Sequence, residues 1–155
     1  MKKKIWEHTN IENCMNQYAG KKIVLVGGCF DLIHFGHHTF LQKAKEQGDA
    51  LIVALEPDKH IQTKKKRQPV HTQQERAEIL AALSYIDAII LLPYLSDDMG
   101  YRALVEKIHP QIIAVSGDDP FKEKKEQQAI AIGAVVKEVV PLMPRFKTSA
   151  IIESY

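Results

Sequence analysis

The sequence predicts an α/β fold in which a five-stranded parallel sheet is flanked by helices on both faces. Short, nearly continuous apolar segments rich in Val and Ile alternate along the chain with segments of helical periodicity. Strands that are apolar on both faces are typical of parallel sheets covered by helices on both sides. Two of the apolar segments run into glycine turns, at Gly27-Gly28 and at Gly117. Both turns should therefore lie at the carboxyl edge of the sheet, where ligands of such folds bind.

Five segments are short, apolar and followed by turn residues, and these are the predicted strands: residues 22–28, 50–55, 87–92, 111–115 and 134–140. Apolar residues recur at helical spacing in residues 36–47 and 101–108. A charged helix is predicted over residues 120–132, from Pro120 to the glycine that follows Ile132. The capping box of residues 72–75 opens another helix. A short last helix is expected to start near Thr148.

Two segments carry a weaker pattern. Residues 5–18 are predicted as a short lead-in helix before the first strand. Residues 57–71 are polar, basic and without periodicity, which predicts a long loop. A loop of this length in a compact domain is usually functional or mobile.

The composition fits one globular domain over residues 1–155, with a lead-in segment at 1–20 and the core at 21–155. Of the 155 residues 45% are hydrophobic, and the formal net charge of +2 gives no indication of a nucleic-acid partner. No apolar run approaches the roughly 18 residues that a membrane span needs, so no membrane partner is expected. Cys14 and Cys29 are the only cysteines. Because Cys29 lies beside the glycine turn, we expect free thiols and a cytoplasmic location.

The first glycine turn leads into the pattern His34-x-Gly36-His37 at a predicted helix start. Apolar residues three, four and seven positions after His37 place it on the core-facing stripe of the first turn, directed at the crevice. Unpaired backbone N–H groups and the helix dipole favour an anion at such a point. The pattern therefore predicts a nucleotide phosphate site. His34, His37 and His38 could also bind a metal, but no cysteine or carboxylate stands at a suitable companion spacing, so no protein-held metal is predicted.

Residues 28–37, with the pattern Gly-Cys-Phe-Asp-x-x-His-x-Gly-His, resemble the motif of the cytidylyltransferase-like nucleotidyltransferases. The similarity continues at Asp58, at Glu75-Arg76 and at residues 117–119. The resemblance implies a Rossmann-like three-layer sandwich. It implies transfer of a nucleoside monophosphate from ATP or CTP to a phosphorylated small molecule, with release of pyrophosphate. It also implies Mg²⁺ held mainly by nucleotide phosphates and, since relatives are often dimers, a homodimer.

The resemblance assigns roles to particular residues. The expected catalytic residues, which stabilise the α-phosphate or clamp the triphosphate, are His34, His37, Lys64 and Lys66. The expected nucleotide-binding residues are Gly28, Cys29, Phe30, Asp31, Gly36, Arg76, Gly117, Asp118, Asp119, Lys147, Thr148 and Ser149. The expected acceptor-binding residues are Asp31 and Asp58.

Some of these residues have a plain structural alternative. The basic residues of 59–67 could form a solvated loop, and the sequence does not fix the register within its run of three lysines. Arg76 could lie on a helix surface instead of reaching the site. Asp118 and Asp119 could simply form a turn.

The C-terminal motif departs from the family pattern. Lys147 stands where a serine is usual, although Thr148 and Ser149 keep two hydroxyls at a helix start. A lysine can still pair with phosphate. The departure leaves room for a protein of another class, one that binds or senses a nucleotide without turnover.

The acceptor is less well defined than the reaction. Residues 20–24 and 67–70 look most like the adenylyltransferase unit of ADP-heptose synthesis, and residues 117–119 look like glycerol-3-phosphate cytidylyltransferases. Compact FMN adenylyltransferases share the same frame. We expect an adenylyltransferase acting on a sugar phosphate such as heptose 1-phosphate, with the other two activities as alternatives.

Overall fold

The computed structural model describes residues 2–141 and 148–153, and in them the chain forms a single parallel sheet. Its strands are β1 (Ile5–Glu7), β2 (Ile23–Gly28), β3 (Ala50–Leu55), β4 (Ala88–Leu91), β5 (Ile112–Ser116) and β6 (Val135–Val140). They lie in the order β1-β4-β3-β2-β5-β6, and every neighbouring pair is parallel. The α/β class and the parallel sheet are confirmed, and the five predicted strands agree with β2 to β6 to within one residue at each end.

The helices of the described residues alternate with these strands. They are α1 (Ile11–Asn16), α2 (Phe35–Lys45), α3 (Asp58–Lys64), α4 (Gln73–Ala81), α5 (Asp98–Ile108), α6 (Lys122–Ile132) and α7 (Thr148–Glu153). None of the helices described here combines the length and the apolar character needed to cross a bilayer.

The sheet has six strands, so the prediction of five was wrong. Residues 5–7 form an edge strand that pairs with β4, with Ile5 opposite Ile89, where a lead-in helix was expected. A 3-10 turn over His8–Asn10 follows, and helix α1 begins only at Ile11. Trp6 is buried against the sheet core. The apolar pair Ile5-Trp6 therefore covers the edge of β4, which a helix starting at residue 5 would leave unpaired.

The segment of residues 57–71 is not wholly a loop, because its first half is helix α3. Pro57 is the N-cap residue of α3, and the fully buried Ile61 is the side chain that fixes the helix to the core. One apolar residue gives no periodicity, which explains why the sequence pattern did not reveal the helix.

The two faces of the sheet carry separate apolar cores, as a three-layer sandwich requires. Leu25, Ile52 and Ile90 pack on the face that α1 and α5 cover. Val24, Val26 and Val53 pack on the opposite face with buried side chains of α2 and α4. Strand β2 is central, with β3 on one side and β5 on the other. Because the connections leave β2 and β5 in opposite directions across the sheet, a crevice forms at their carboxyl ends.

Candidate active site

A cavity of about 1140 Å³ opens along the carboxyl edge of the sheet. Most of the predicted site residues line it: Gly28, Cys29, Phe30, His34, Gly36, His37, Lys64, Asp118, Asp119, Thr148 and Ser149. Five others lie outside its lining: Asp31, Asp58, Lys66, Arg76 and Gly117. Lys147 falls outside the described residues.

The turn between β2 and α2 has a tightly constrained backbone. Phe30 and Leu32 both adopt positive φ angles, of 48° and 60°, a conformation that is uncommon for side chains of this size. The Phe30 ring folds back under the turn and lies edge-on to the His37 ring, at 5.4 Å between centroids. A Cβ atom on Gly28 would lie 3.0 Å from this ring, so glycine leaves the space that the ring needs.

His34 and His37 together close the start of helix α2. Nδ1 of His34 accepts hydrogen bonds from the backbone N–H groups of Gly36 and His37, at 3.1 and 3.3 Å. Nδ1 of His37 accepts from the backbone N–H of His34, at 3.3 Å. The arrangement is a capping box in which both side chains are imidazoles. Because each Nδ1 is an acceptor, the ring proton of each neutral histidine is on Nε2.

Burial keeps both imidazoles neutral. The pKa of His37 is lowered to about 3, chiefly by loss of solvation and further by the charges of His34 and Lys65, against the opposing effect of Asp31. Burial also lowers the pKa of His34. The two rings stack at 3.7 Å between centroids. Two neutral N–H donors thus lie side by side at a helix start, an arrangement suited to negative charge on phosphate oxygens.

Asp31 holds neighbouring parts of the chain in place. Its carboxylate accepts hydrogen bonds from Nη1 of Arg67, at 2.8 Å, and from the backbone N–H groups of Val70 and His71, at 2.8 and 3.0 Å. Burial alone raises the pKa of Asp31, but these hydrogen bonds outweigh it and hold the pKa below 3.8. The Asp31 carbonyl accepts from Oγ1 of Thr148 at 2.7 Å, which fixes α7 against the turn.

Arg76 lies beneath the cavity, fully buried. Its guanidinium donates to the carbonyl oxygens of Cys29, Glu56 and His71, at 2.7, 2.8 and 3.0 Å. It also pairs with the carboxylate of Asp58 at 2.7 Å. Arg76 therefore joins the ends of β2 and β3 to the start of α4. The sequence suggested that it reaches the site or lies on a helix surface, and this buried position beneath the cavity is neither.

The lysine run divides between two surfaces. Lys64 and Lys65 line the cavity, whereas Lys66 lines a shallow surface groove with Gln62, Arg67 and Gln68. Helix α3 ends at Lys64, and Lys66 has a positive φ of 53°, which turns the chain away. The sequence did not single out Lys65, since register could not be fixed within three identical residues.

The turn after β5 is shaped largely by its own carboxylates. Asp118 accepts from the hydroxyl of Ser116 at 2.8 Å. Asp119 accepts from the backbone N–H of Phe121 and from Nζ of Lys125, at 2.8 and 2.5 Å. Both residues line the cavity, and the hydrogen bonds of their side chains are those of turn-forming residues.

Sequence reasoning missed a buried polar cluster on the β3 side of the cavity. Glu56 directly follows β3, and its carboxylate accepts from the hydroxyl of Tyr101 at 3.0 and 3.2 Å. Nδ1 of His60 lies 2.9 Å from the same carboxylate. All three residues line the cavity. The position of Glu56 at the end of a predicted strand could have indicated that it belongs to the site. No sequence spacing connects it with Tyr101.

Within the described part of the chain, no group of three or more His, Cys, Asp or Glu side chains could hold a metal ion. A divalent cation that arrives with a nucleotide would be bound chiefly by phosphate oxygens, as Mg²⁺ commonly is. The neighbouring Lys64 and Lys65 fit a ligand of high negative charge.

Comparisons with known proteins agree with this geometry. A family model described as Cytidylyltransferase-like matches residues 25–153. The FAD synthase of Thermococcus kodakarensis is 37% identical over 139 residues, which are 86% of this chain and 91% of that protein. The Bifunctional protein HldE of Koribacter versatilis is 31% identical over 86% of this chain, but the match is 27% of its own length. A crystal structure described as the lipopolysaccharide core biosynthesis protein from Thermoplasma volcanium has a TM-score of 0.65 and 26% identity, covering 80% of this chain and 98% of that one.

Proposed function

The chain belongs to the cytidylyltransferase-like family and is a nucleotidyltransferase, and on this premise we propose that it transfers AMP from ATP to FMN, forming FAD and pyrophosphate. The observation that carries the proposal is the extent of the match. A FAD synthase is similar over nearly its whole length, whereas the HldE match covers about a quarter of the relative. The comparisons thus support the FMN alternative better than a sugar phosphate.

The site supports in-line displacement at the α-phosphorus of ATP. A phosphate oxygen of FMN forms a new bond to this phosphorus, while the bond to the bridging oxygen breaks and pyrophosphate leaves. The FMN phosphate is already ionised at neutral pH, so no general base is required. Nε2–H groups of His34 and His37 would stabilise charge on the α-phosphate oxygens. Mg²⁺ carried on the phosphates would offset part of their charge.

The lysines at the end of α3 support binding of the leaving group. Lys64 and Lys65 line the cavity beside the histidine pair, and the charge of Lys65 lowers the pKa of His37, as expected for a near neighbour. Cationic side chains near the β- and γ-phosphates would stabilise the departing pyrophosphate. We assign this role to Lys64 and Lys65 in place of Lys64 and Lys66.

The cavity is large enough for two ligands. Its volume of about 1140 Å³ is above the usual range of roughly 300–1,000 Å³ for a single ligand. On the β5 side, Ser116, Asp118 and Thr148 line the wall where ATP would bind. On the β3 side, apolar walls from Leu92, Leu95 and the first turns of α5 suit an acceptor with a large flat ring.

The deciding experiment is product analysis of the purified protein with ATP, FMN and Mg²⁺. We expect FAD and pyrophosphate in equal amounts by chromatography. ATP with heptose 1-phosphate and CTP with glycerol 3-phosphate are run in parallel. ADP-heptose or CDP-glycerol without FAD would replace the proposal with one of those activities, and nucleotide binding without any product would indicate a sensor. The cytoplasmic location and the homodimer remain predictions.

A further inference from the structure

The cluster of Glu56, His60 and Tyr101 has no role in the chemistry proposed above. It joins three elements, since Glu56 follows β3, His60 is in α3 and Tyr101 is in α5. The Glu56 side chain is only 8% exposed, yet it lines the cavity. A carboxylate in such a position is costly unless it is well supplied with hydrogen-bond donors.

The described residues supply Glu56 with few donors. A carboxylate can accept about four hydrogen bonds, but among the described residues one hydroxyl, that of Tyr101, donates to its oxygens. Nδ1 of His60 lies 2.9 Å away, but it is not aligned for a hydrogen bond. No Lys or Arg among the residues that the structure describes forms an ion pair with Glu56. The carboxylate therefore keeps unused acceptor capacity.

The surroundings of Glu56 indicate what would use this capacity. The backbone N–H of Glu56 donates to the carbonyl of Gly28 at 3.0 Å, so the residue lies directly beside the β2–α2 turn. It is on the side of the turn away from β5, in the half of the cavity assigned to the acceptor. The neighbouring walls are apolar, from Leu92 and Leu95. A ligand group that fits here is uncharged, largely apolar and carries an N–H or O–H donor.

Resting on the proposed function, we infer that Glu56 is a specificity-determining residue for the acceptor. Its carboxylate accepts a hydrogen bond from the uncharged part of FMN, either the ring N–H or a ribityl hydroxyl. Tyr101 is a positioning residue, because its hydroxyl donates to both carboxylate oxygens and fixes their direction. The negative charge of Glu56 also disfavours acceptors that are anionic at this position.

The test is steady-state FAD formation by Glu56→Gln, with Glu106→Gln on the exposed surface of α5 as the matched control. Both changes remove one carboxylate, but only the first alters the cavity. We expect Glu56→Gln to raise the KM for FMN roughly tenfold or more, with the KM for ATP changed less than twofold. Tyr101→Phe should also raise the KM for FMN, by a smaller factor. Thermal unfolding of each variant checks that the fold is retained.

FMN methylated at the ring N–H distinguishes the two donors. If the ring is the partner, methylation raises the KM of the wild type but has little further effect in Glu56→Gln. If a ribityl hydroxyl is the partner, methylation has the same effect in both proteins. An unchanged KM for FMN in Glu56→Gln, or an equal rise for ATP, overturns the inference while FAD synthesis stands. Absence of FAD from the wild type overturns the proposed function, and the inference with it.

Discussion

At the start of α2, Nδ1 of His34 accepts the backbone N–H groups of Gly36 and His37, and Nδ1 of His37 accepts the backbone N–H of His34, so each ring is left with an Nε2–H donor. The same two side chains therefore stabilise the helix start and form the proposed anion site. Substitutions that retain the cap but remove the donor should separate the two effects.

His37→Ala should lower kcat by about 10²–10³, the usual cost of losing one donor to a developing oxyanion. ATP binding should change much less, because the donor is most important in the transition state. His38→Ala is the control, since Nδ1 of His38 lies 2.9 Å from the Tyr85 hydroxyl and the side chain does not line the cavity. Turnover at saturating ATP and FMN is the measurement. Equal losses in the two variants would contradict the assigned role.

His34→Asn should keep most of the stability of the fold while losing activity. Asparagine is a good N-cap residue, whereas His34→Ala removes the cap at a cost of about 0.5–2 kcal/mol. Urea unfolding should therefore rank the wild type and Asn above Ala, while kcat should be low in both variants. A fully active Asn variant would show that the Nε2–H donor of His34 is dispensable.

The stability of the wild type should decrease as the pH is lowered, because His37 is buried in its neutral form. Its pKa is lowered from 6.5 to about 3 in the folded protein. Between these two pKa values the unfolded chain binds more protons than the folded protein. The stability gained by burying His37 in its neutral form is therefore fully present above pH 6.5 and is lost as the pH falls towards 3. His37→Gln lacks the titration. The difference in free energy of unfolding between wild type and variant should therefore shrink or reverse from pH 7 to pH 4, measured by urea unfolding. A difference independent of pH would contradict the buried neutral state.

Lys65→Ala should raise the KM for ATP by roughly tenfold, the scale expected for losing a charged hydrogen bond. Lys66→Ala, which removes the same charge one residue later from the surface groove, should change it less than twofold. Binding of AMP should be nearly unaffected in both, because AMP lacks the β- and γ-phosphates. A larger effect at Lys66 than at Lys65 would reverse the register proposed for the lysine run.

Arg76→Met should destabilise the protein by about 3 kcal/mol or more. The change leaves the carbonyl oxygens of Cys29 and Glu56 without their buried donor, and it leaves Asp58 without its ion-pair partner. Arg76→Lys should recover only part of the loss, because a lysine ammonium lacks the planar, forked set of donors with which the guanidinium reaches four acceptors. Urea unfolding measures both. A near-neutral Arg76→Met would show that these contacts contribute little.

The sequence was most informative where a pattern is repeated over several residues. Strands such as β3, with six consecutive apolar residues, and the spaced pair His34 and His37 could be identified because each has a strong local signal. Strand β1 has only three residues, too few to establish a period of two. The contact between Glu56 and Tyr101 spans 45 positions, and only the folded sheet brings such residues together.

Two residues predicted to bind ligand form hydrogen bonds within the protein that hold the site together. Asp31 and Arg76 occur within the family motif, and the sequence reveals their position but not the direction of their side chains. Their hydrogen-bond partners lie in other segments of the chain, as with Arg67 and Cys29. A polar residue in a motif can thus support the backbone as readily as it binds a ligand. Only the distances in the structure distinguish the two roles.

Asp31 connects both walls of the cavity to a single point on the β2–α2 turn. Its side chain holds the segment after α3, and its carbonyl holds the first residue of α7. The two walls therefore share one anchor, although Thr148 lies 117 positions after Asp31 along the chain. A displacement of the turn would move both walls together, so the parts of the cavity assigned to ATP would shift as one unit.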